Sequence, residues 1–328
     1  MKHLEQITKI PAVSGYETMG EKAFFTLFEK IGLIPQTDAY GNIFAEKKSA
    51  FSQRHILIDS HIDEIGLVVT EVLENGFLSF ETVGGVDKTN LLCQEVVVYG
   101  TSPIYGVIGA MPPHLTAKEQ EKKEKTLLID TGLNNVEDMV SPGAPVKLKS
   151  HFLKLKNGQF SGGAMDDRAG LLVALTVAKK WRQNIDLTVL GSTREEMGLQ
   201  GVDLFLQKHT FDLAIVLDVT HGYFDGLDPC RSYAVGGGLT LCYGGVLENR
   251  LTRTLERALQ KEQIPYHTEF EPSHPGTNAY SAVMHQIPVV MMSIPLKYMH
   301  TTVETLSEKD VKNLIGFLTG FDWEQALY

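Results

Sequence analysis

GLLVALTVAKKW (residues 170–181) followed by DLTVLGST (residues 186–193) joins an apolar helix pattern to a buried strand pattern, and this alternation decides the fold. The same order recurs downstream, in the helix patterns at 201–209 and 248–263 and the strand patterns at 213–220 and 288–296. Strands that alternate with helices favour a largely parallel sheet covered on both faces. We therefore expect an α/β fold, with a mostly parallel sheet flanked by helices.

The amino-terminal part of the chain also has helix and strand patterns that fit this α/β fold. Four apolar residues recur at helical spacing between Phe24 and Ile31, and Gly32 follows them as a helix end. A short strand is predicted around Ile43 to Glu46. HILID (residues 55–59) has the pattern of a buried strand and runs directly into SHIDEIG (residues 60–66).

The middle of the chain has a different sequence pattern. Short β-rich runs separated by Gly and Pro turns extend from Leu67 to about His151, and only the charged stretch Ala117 to Lys125 has the pattern of a helix. This pattern is typical of a small β-barrel or β-sandwich. We expect an α/β catalytic domain built from residues 1–66 and 156–328, with a small β-barrel inserted at 67–155.

Composition narrows the possible functions. The chain has 328 residues, a formal net charge of −10 and no basic run, which argues against nucleic acid or an anionic membrane as the main partner. Its three cysteines are far apart, so neither a disulfide framework nor a thiolate zinc site is expected. The first residues lack the apolar stretch of a signal peptide, and no segment has the length of a membrane span. We expect a cytoplasmic protein.

Five sets of polar residues each follow a predicted strand. In open α/β sheets, ligands bind beyond the carboxyl ends of the strands. Side chains that are distant in the sequence are therefore expected to converge at one edge of the sheet. The sets are His61 with Asp63, Asp166 with Asp167, Glu195 with Glu196, Asp218, and His300.

Two of these sets also have plain structural interpretations. His61 and Asp63 point to the same side of an extended segment, so Asp63 can orient the imidazole of a metal-binding histidine, or the two can form an exposed pair. Asp166 and Asp167 follow a glycine-rich stretch and can bind metal, or they can cap the helix that starts near Ala169.

The other three sets also have both a functional and a plain structural interpretation. Glu195 and Glu196 diverge at a strand end, so one can bind metal while the other acts as a base, or both can lie on the surface. Asp218 ends an otherwise apolar run, where an unpaired charge is costly, and this favours a metal or a cationic partner. His300 alone can be an ordinary core or surface histidine.

Together these residues supply two histidines, three or four carboxylates and one free glutamate. That set suits two divalent metal ions with one bridging carboxylate. Nitrogen and oxygen ligands without thiolates favour zinc, with cobalt or manganese as possible alternatives.

Five motifs, taken in order, resemble a known family. The resemblance is to the glutamyl and tetrahedral aminopeptidases, metallopeptidases whose members are sometimes labelled endoglucanase-like. It runs through nearly the whole chain, including the opening IPAVSGYE (residues 10–17). The motifs are HIDEIG (61–66), MDDRAG (165–170), REEMGLQG (194–201), LDVTHG (217–222) and YMHTTVE (298–304).

The resemblance implies a role for each residue. It makes Asp166 the carboxylate that bridges two metals, Glu195 the general base and Asp63 the partner that orients a ligand. It also implies a metal-dependent aminopeptidase that acts on short peptides and self-associates into a tetrahedral dodecamer built from dimers. The remaining metal ligands would be His61 and Asp218 at the first metal, and Glu196 and His300 at the second.

Alternatives remain open at this point. A metal-dependent deacylase or carboxypeptidase of the same fold carries its extra domain later in the chain, whereas here the long gap of 103 residues lies between Asp63 and Asp166. A glycoside hydrolase, which the endoglucanase label suggests, uses two carboxylates and usually needs no metal. A non-catalytic metal-binding protein is the third alternative.

Overall fold

A computed structural model describes residues 1–110, 127–273 and 275–327 of the chain. The predicted helix at 117–125 lies outside these residues. The strands are β1 (Gln36–Thr37), β2 (Ile43–Lys47), β3 (His55–His61), β4 (Gly66–Val72), β5 (Phe77–Val83), β6 (Glu95–Tyr99), β7 (Pro103–Ala110), β8 (Leu127–Asp130), β9 (Pro145–Leu148), β10 (Leu153–Lys154), β11 (Gln159–Gly162), β12 (Asp186–Ser192), β13 (Leu213–His221), β14 (Leu239–Gly244), β15 (Tyr266–Glu271), β16 (Val289–Leu296) and β17 (Glu304–Ser307).

The described part of the chain contains eight α-helices. None of those in the described part of the chain is long and apolar enough to cross a membrane. They are α1 (Lys2–Thr8), α2 (Glu21–Glu29), α3 (Met165–Lys180), α4 (Gln200–Leu206), α5 (Asn249–Lys261), α6 (Asn278–Met284), α7 (Glu308–Gly320) and α8 (Trp323–Ala326).

An eight-stranded sheet forms the main layer, in the order β1-β2-β12-β3-β13-β16-β14-β15. The four central strands, β12, β3, β13 and β16, are mutually parallel, and β14 and β15 form a second parallel pair. Antiparallel pairings join β2 to β12 and β14 to β16. The expected α/β fold with a mostly parallel sheet is therefore confirmed.

Both faces of this sheet are buried. Along β3, Ile56 and Ile58 pack into one apolar cluster with α3 and α7, whereas Leu57 between them packs into another with α4 and α6. Along β13 the same alternation separates Ile215 from Val216. Because successive strand residues point to opposite faces, an uninterrupted apolar run is needed when helices cover both sides. This explains the continuous apolar runs at 56–58 in β3 and 213–217 in β13.

The inserted part folds as a closed barrel in the order β4-β5-β8-β7-β6-β9. All six short β-rich runs of the sequence form its strands, and closure leaves no open sheet edge. The barrel has its own core, whose members include Leu67, Leu78, Val96, Ile108 and Val146. The expected inserted β-barrel is thus present, and the domain boundaries at 67 and 155 remain a prediction.

Several elements differ from the sequence-based expectations. Helix α3 begins at Met165 rather than near Ala169, although Asp166 and Asp167 have non-helical backbone angles within its first turn. Strands β14 and β15 were not predicted. Their residues alternate with polar ones and β15 is the edge strand of the sheet, so neither has the continuous apolar pattern of the central strands.

A buried group of charges joins the barrel to the α/β layer. Lys147 on β9 contacts one carboxylate oxygen of Glu64, and the other oxygen accepts the main-chain N–H of Ala12 at 2.9 Å and lies 3.6 Å from Arg168. All three charged side chains are buried. Glu64 is thus the acid that both cations share at short distance, in a place where water cannot compensate their charges.

We expect Glu64→Ala to lower the free energy of unfolding by about 3–5 kcal/mol, because it leaves Lys147 and Arg168 buried without their acid. Urea unfolding at fixed protein concentration measures the change. The control is Glu5→Ala, which removes the exposed partner of Lys9 and should cause a much smaller loss. Equal losses for the two variants would contradict this interpretation.

Candidate active site

Four of the five predicted sets follow adjacent parallel strands, whereas Asp166 and Asp167 lie in the first turn of α3, after a strand of a separate three-stranded sheet (β10-β11-β17). His61 ends β3, Asp218 lies near the end of β13, Glu195 and Glu196 follow β12, and His300 follows β16. These four strands are neighbours in the sheet and run in the same direction. Their carboxyl ends therefore meet at one edge, as the doubly wound pattern requires.

Asp166 lies at the centre of this edge. One group of ligand atoms comes from His61, Asp166 and Asp218, and these atoms all lie within 4.8 Å of one another. The shortest contact within the group joins His61 Nε2 to Asp166 Oδ1, at 2.9 Å. Three nitrogen and oxygen donors at this spacing have the arrangement of a divalent-cation site.

A second group shares the same aspartate. Atoms of Asp166, Glu196 and His300 also lie within 4.8 Å of one another. His300 Nε2 is 3.5 Å from Asp166 Oδ2 and 3.3 Å from Glu196 Oε1. Since Asp166 faces His61 with Oδ1 and His300 with Oδ2, its carboxylate stands between the two groups.

Both histidines are oriented through their other ring nitrogen. His61 Nδ1 lies 3.1 Å from the main-chain oxygen of Asp63, and His300 Nδ1 lies 3.1 Å from the main-chain oxygen of Gly85. A carbonyl oxygen only accepts, so Nδ1 carries the proton in each contact and donates it. Each Nε2 is then left to face the acids, which is the usual arrangement of a metal-binding histidine.

The carboxylate of Asp63 accepts hydrogen bonds from the main chain of the two glutamates. Its Oδ1 accepts the main-chain N–H of Glu195 and its Oδ2 accepts that of Glu196, both at 3.1 Å. Asp63 Oδ1 lies 3.5 Å from His61 Nδ1, which is farther than the main-chain oxygen of Asp63 at 3.1 Å. Asp63 therefore anchors the turn that presents the two glutamates, besides lying beside His61.

Capping of the following helix was one of the two alternatives for the pair Asp166 and Asp167. Asp167 makes such capping contacts. Its Oδ1 accepts the main-chain N–H of Gly170 at 2.9 Å, and its Oδ2 accepts the hydroxyl of Ser60 at 2.6 Å. The peptide bond between Asp166 and Asp167 is cis. The two adjacent acids thus have different surroundings, one in the first turn of α3 and one between the two ligand groups.

Charge is unevenly distributed at this edge. Burial raises the pKa of Glu195 to about 9 and that of Asp218 to about 8, and neighbouring carboxylates, Asp166 among them, contribute to both shifts. Contacts with Asp166 and Glu196 raise the pKa of His300 to about 11. The two acids shift mainly because burial disfavours their charged forms, and the nearby carboxylates add to this effect. Positive charge placed among the acids would lower the pKa of both Glu195 and Asp218.

Comparison with known proteins identifies the family. Residues 41–317 match the model of the M42 glutamyl aminopeptidases. That match spans well over half of the chain. The chain belongs to the M42 family.

Relatives and solved structures agree with this membership. A lysyl aminopeptidase of Pyrococcus furiosus is 26% identical over 325 residues, covering 95% of this chain and 93% of its own. The structure of a TET aminopeptidase from a marine sediment Thaumarchaeota archaeon aligns with a TM-score of 0.90, 26% identity, and coverage of 99% of this chain and 97% of its own. The TET1 peptidase of Pyrococcus horikoshii, described as assembling into a tetrahedron or a large octahedral shell, aligns with a TM-score of 0.85, 26% identity, and coverage of 98% and 99%.

The resemblance seen in the five motifs is therefore confirmed, and the chain is a hydrolase that acts on peptides. M42 membership implies the use of divalent metal ions. The two ligand groups fit such ions, because they offer imidazole nitrogens and carboxylate oxygens around one shared aspartate. No cysteine belongs to either group among the residues that the structure describes.

Two contributors to this M42 site were missed in the sequence. Gly85 lies beyond β5 of the barrel, and a Cβ there would come within 2.5 Å of His300 Nδ1, so only glycine leaves room for the ring. Glu304 begins β17 and its carboxylate accepts main-chain N–H groups beside the ligands. Glu304 closes the motif YMHTTVE, but nothing in the motif assigns it a role, and Gly85 lies in no motif. Both roles depend on contacts between distant segments.

Proposed function

We propose that this M42 chain is a dinuclear aminopeptidase that removes N-terminal residues from short peptides, with Glu195 as the general base. The observation that carries the proposal is the shared position of Asp166, whose two oxygens face two separate ligand groups beside Glu195. Two divalent ions, when bound, would polarise the scissile carbonyl and lower the pKa of the attacking water. Zinc suits the donors best, and cobalt or manganese suit them as well.

Glu195 would act on protons during the reaction. In its ionised form it takes a proton from the attacking water and later returns the proton to the departing amine. Asp63 holds the main chain of Glu195 through a 3.1 Å hydrogen bond, which limits movement of the base. Glu196, anchored in the same way, would remain a ligand together with His300.

The acidic side chains of the site support cleavage at the N-terminus of a peptide. The buried acids at this edge favour a cationic group, and the free α-ammonium group of a peptide is one. The deacylase and carboxypeptidase alternatives would instead require a site for an acylated amine or a free carboxylate. Names among the relatives, such as lysyl aminopeptidase, also favour the aminopeptidase. The cytoplasmic location stays a prediction from the sequence.

We also propose that the chain self-associates into a tetrahedral dodecamer built from dimers. The structure of the Pyrococcus horikoshii TET1 peptidase is described as a tetrahedron or a larger octahedral shell, and its fold covers 98% of this chain. Exposed apolar side chains on the barrel strand β7, Tyr105 and Val107, are 67% and 50% exposed in the single chain. Burial of such side chains would favour association.

Replacing the base tests the mechanism directly. We expect Glu195→Gln to lower kcat by about 10²–10⁴-fold, because the amide cannot accept a proton. Metal content, measured by elemental analysis, should stay at the wild-type level. The matched control is Glu196→Gln on the next residue, which should lose metal instead. A fully active Glu195→Gln protein with its metals intact would exclude Glu195 as the base.

Substrate chemistry separates the rival hydrolases. We expect peptides with a free amino group to be hydrolysed, and the same peptides with an acetylated amino group to be left intact. Mass spectrometry of the products identifies the bond that is cleaved, and a panel of N-terminal residues gives the preference. Release of a C-terminal residue or of an acyl group would indicate a carboxypeptidase or a deacylase. Activity on a glucan that survives a chelator would indicate a glycoside hydrolase.

Light scattering tests the assembly. We expect a particle mass twelve times that of one chain in dilute neutral buffer, since association buries the apolar faces that a single chain exposes. The same measurement after dilution shows whether dimers are the stable unit. A mass equal to one chain at all concentrations would rule out the dodecamer.

A further inference from the structure

Glu304 is a buried acid that belongs to neither ligand group. It is the first residue of β17, where it pairs with Gly162 of β11, and only 2% of its surface is exposed. Ionisable side chains are seldom buried to this degree unless their polar atoms are satisfied. Its contacts therefore show what holds it there.

Both carboxylate oxygens of Glu304 accept main-chain hydrogen bonds. Oε2 accepts the N–H of Met165 at 2.7 Å and lies 3.3 Å from the N–H of Asp166. Oε1 accepts the N–H of His300 at 3.0 Å. The two segments it joins are far apart in the sequence, and each carries a member of the second ligand group.

These segments have backbone conformations that need support. His300 has φ of +61°, and Ala164, just before Met165, has φ of +56°. Residues with a Cβ seldom adopt this left-handed region, because Cβ then approaches the main chain too closely. Such conformations persist only where surrounding contacts determine them, and Glu304 supplies a hydrogen bond to the main chain of each segment.

We propose that Glu304 is a positioning residue that sets the spacing between Asp166 and His300, and thereby the affinity of the second ligand group for a divalent cation. The proposal rests on the two-cation site proposed above. Asp166 Oδ2 lies 3.5 Å from His300 Nε2, so a shift of either main chain changes the distance between two donors. The first group depends on Glu304 less, because Glu304 contacts one of its members, Asp166, but two members of the second group, Asp166 and His300.

Glu304→Gln is the main test. Glutamine keeps the size and one acceptor oxygen, but its NH₂ group would face a main-chain N–H where the second oxygen accepted one. We expect calorimetric titration of the metal-free protein with Zn²⁺ to show a second site weakened by about 10–100-fold, the usual effect of losing a partner that orients ligands. The first site should weaken by a clearly smaller factor, because His61 and Asp218 keep their own contacts.

Asp310→Asn is the matched control. Asp310 is also fully buried, and its carboxylate accepts the main-chain N–H groups of Gly236 and Gly238 at 2.6 and 2.8 Å. The loop it holds carries no member of either ligand group. The variant therefore loses a similar buried contact, and we expect it to lower the melting temperature while both Zn²⁺ sites keep their wild-type affinity.

Glu304→Asp serves if the glutamine variant does not fold. It keeps the charge but withdraws both oxygens by one methylene, so we expect the second Zn²⁺ site to weaken while the protein remains folded by circular dichroism. Two wild-type-like sites in the Glu304 variants would overturn the positioning role. Equal weakening of both sites, matched by Asp310→Asn, would also overturn it. Failure of the wild-type protein itself to bind two ions would instead overturn the proposed function, and this proposal with it.

Discussion

Collecting several carboxylates at one buried sheet edge is the constraint on which the rest of this structure depends. Acids that are removed from water repel one another and resist ionisation, as the raised pKa values of Glu195 and Asp218 show. The chain keeps them together with main-chain N–H donors. Asp63 takes two of these donors, Asp167 takes one, and Glu304 holds the segments on either side of the second ligand group.

The barrel is part of this arrangement rather than an appendage. Its residue Gly85 accepts the ring N–H of His300, and its strand β9 supplies Lys147, which neutralises Glu64 next to the His61–Asp63 turn. The barrel therefore contacts the site both through a ligand and through the segment that leads out of β3. An insertion at this point of the chain therefore contributes to the geometry of the candidate site.

Much of the architecture was predictable because its causes are local. Continuous apolar runs such as LAIVL (residues 213–217) become strands buried on both faces, and helical runs between them determine the parallel order. The short alternating runs between Leu67 and His151 determine the barrel. Edge strand β15 was missed because an exposed strand has no continuous apolar pattern, and the start of α3 was misplaced because two of its first residues are not helical.

The sequence by itself determined most of the side chains available at the sheet edge, since His61, Glu195, Glu196, Asp218 and His300 each follow a strand whose pattern is visible in the chain. It also determined the family, through five motifs in order. Only the tertiary structure decided that Asp166 faces both groups while Asp167 turns to Gly170, and that Gly85 and Glu304 belong to the site. Those outcomes depend on contacts that only the fold brings about, such as those of Gly85 with His300 and of Glu304 with Met165, or on backbone angles at single residues. Neither leaves a periodic trace in the sequence.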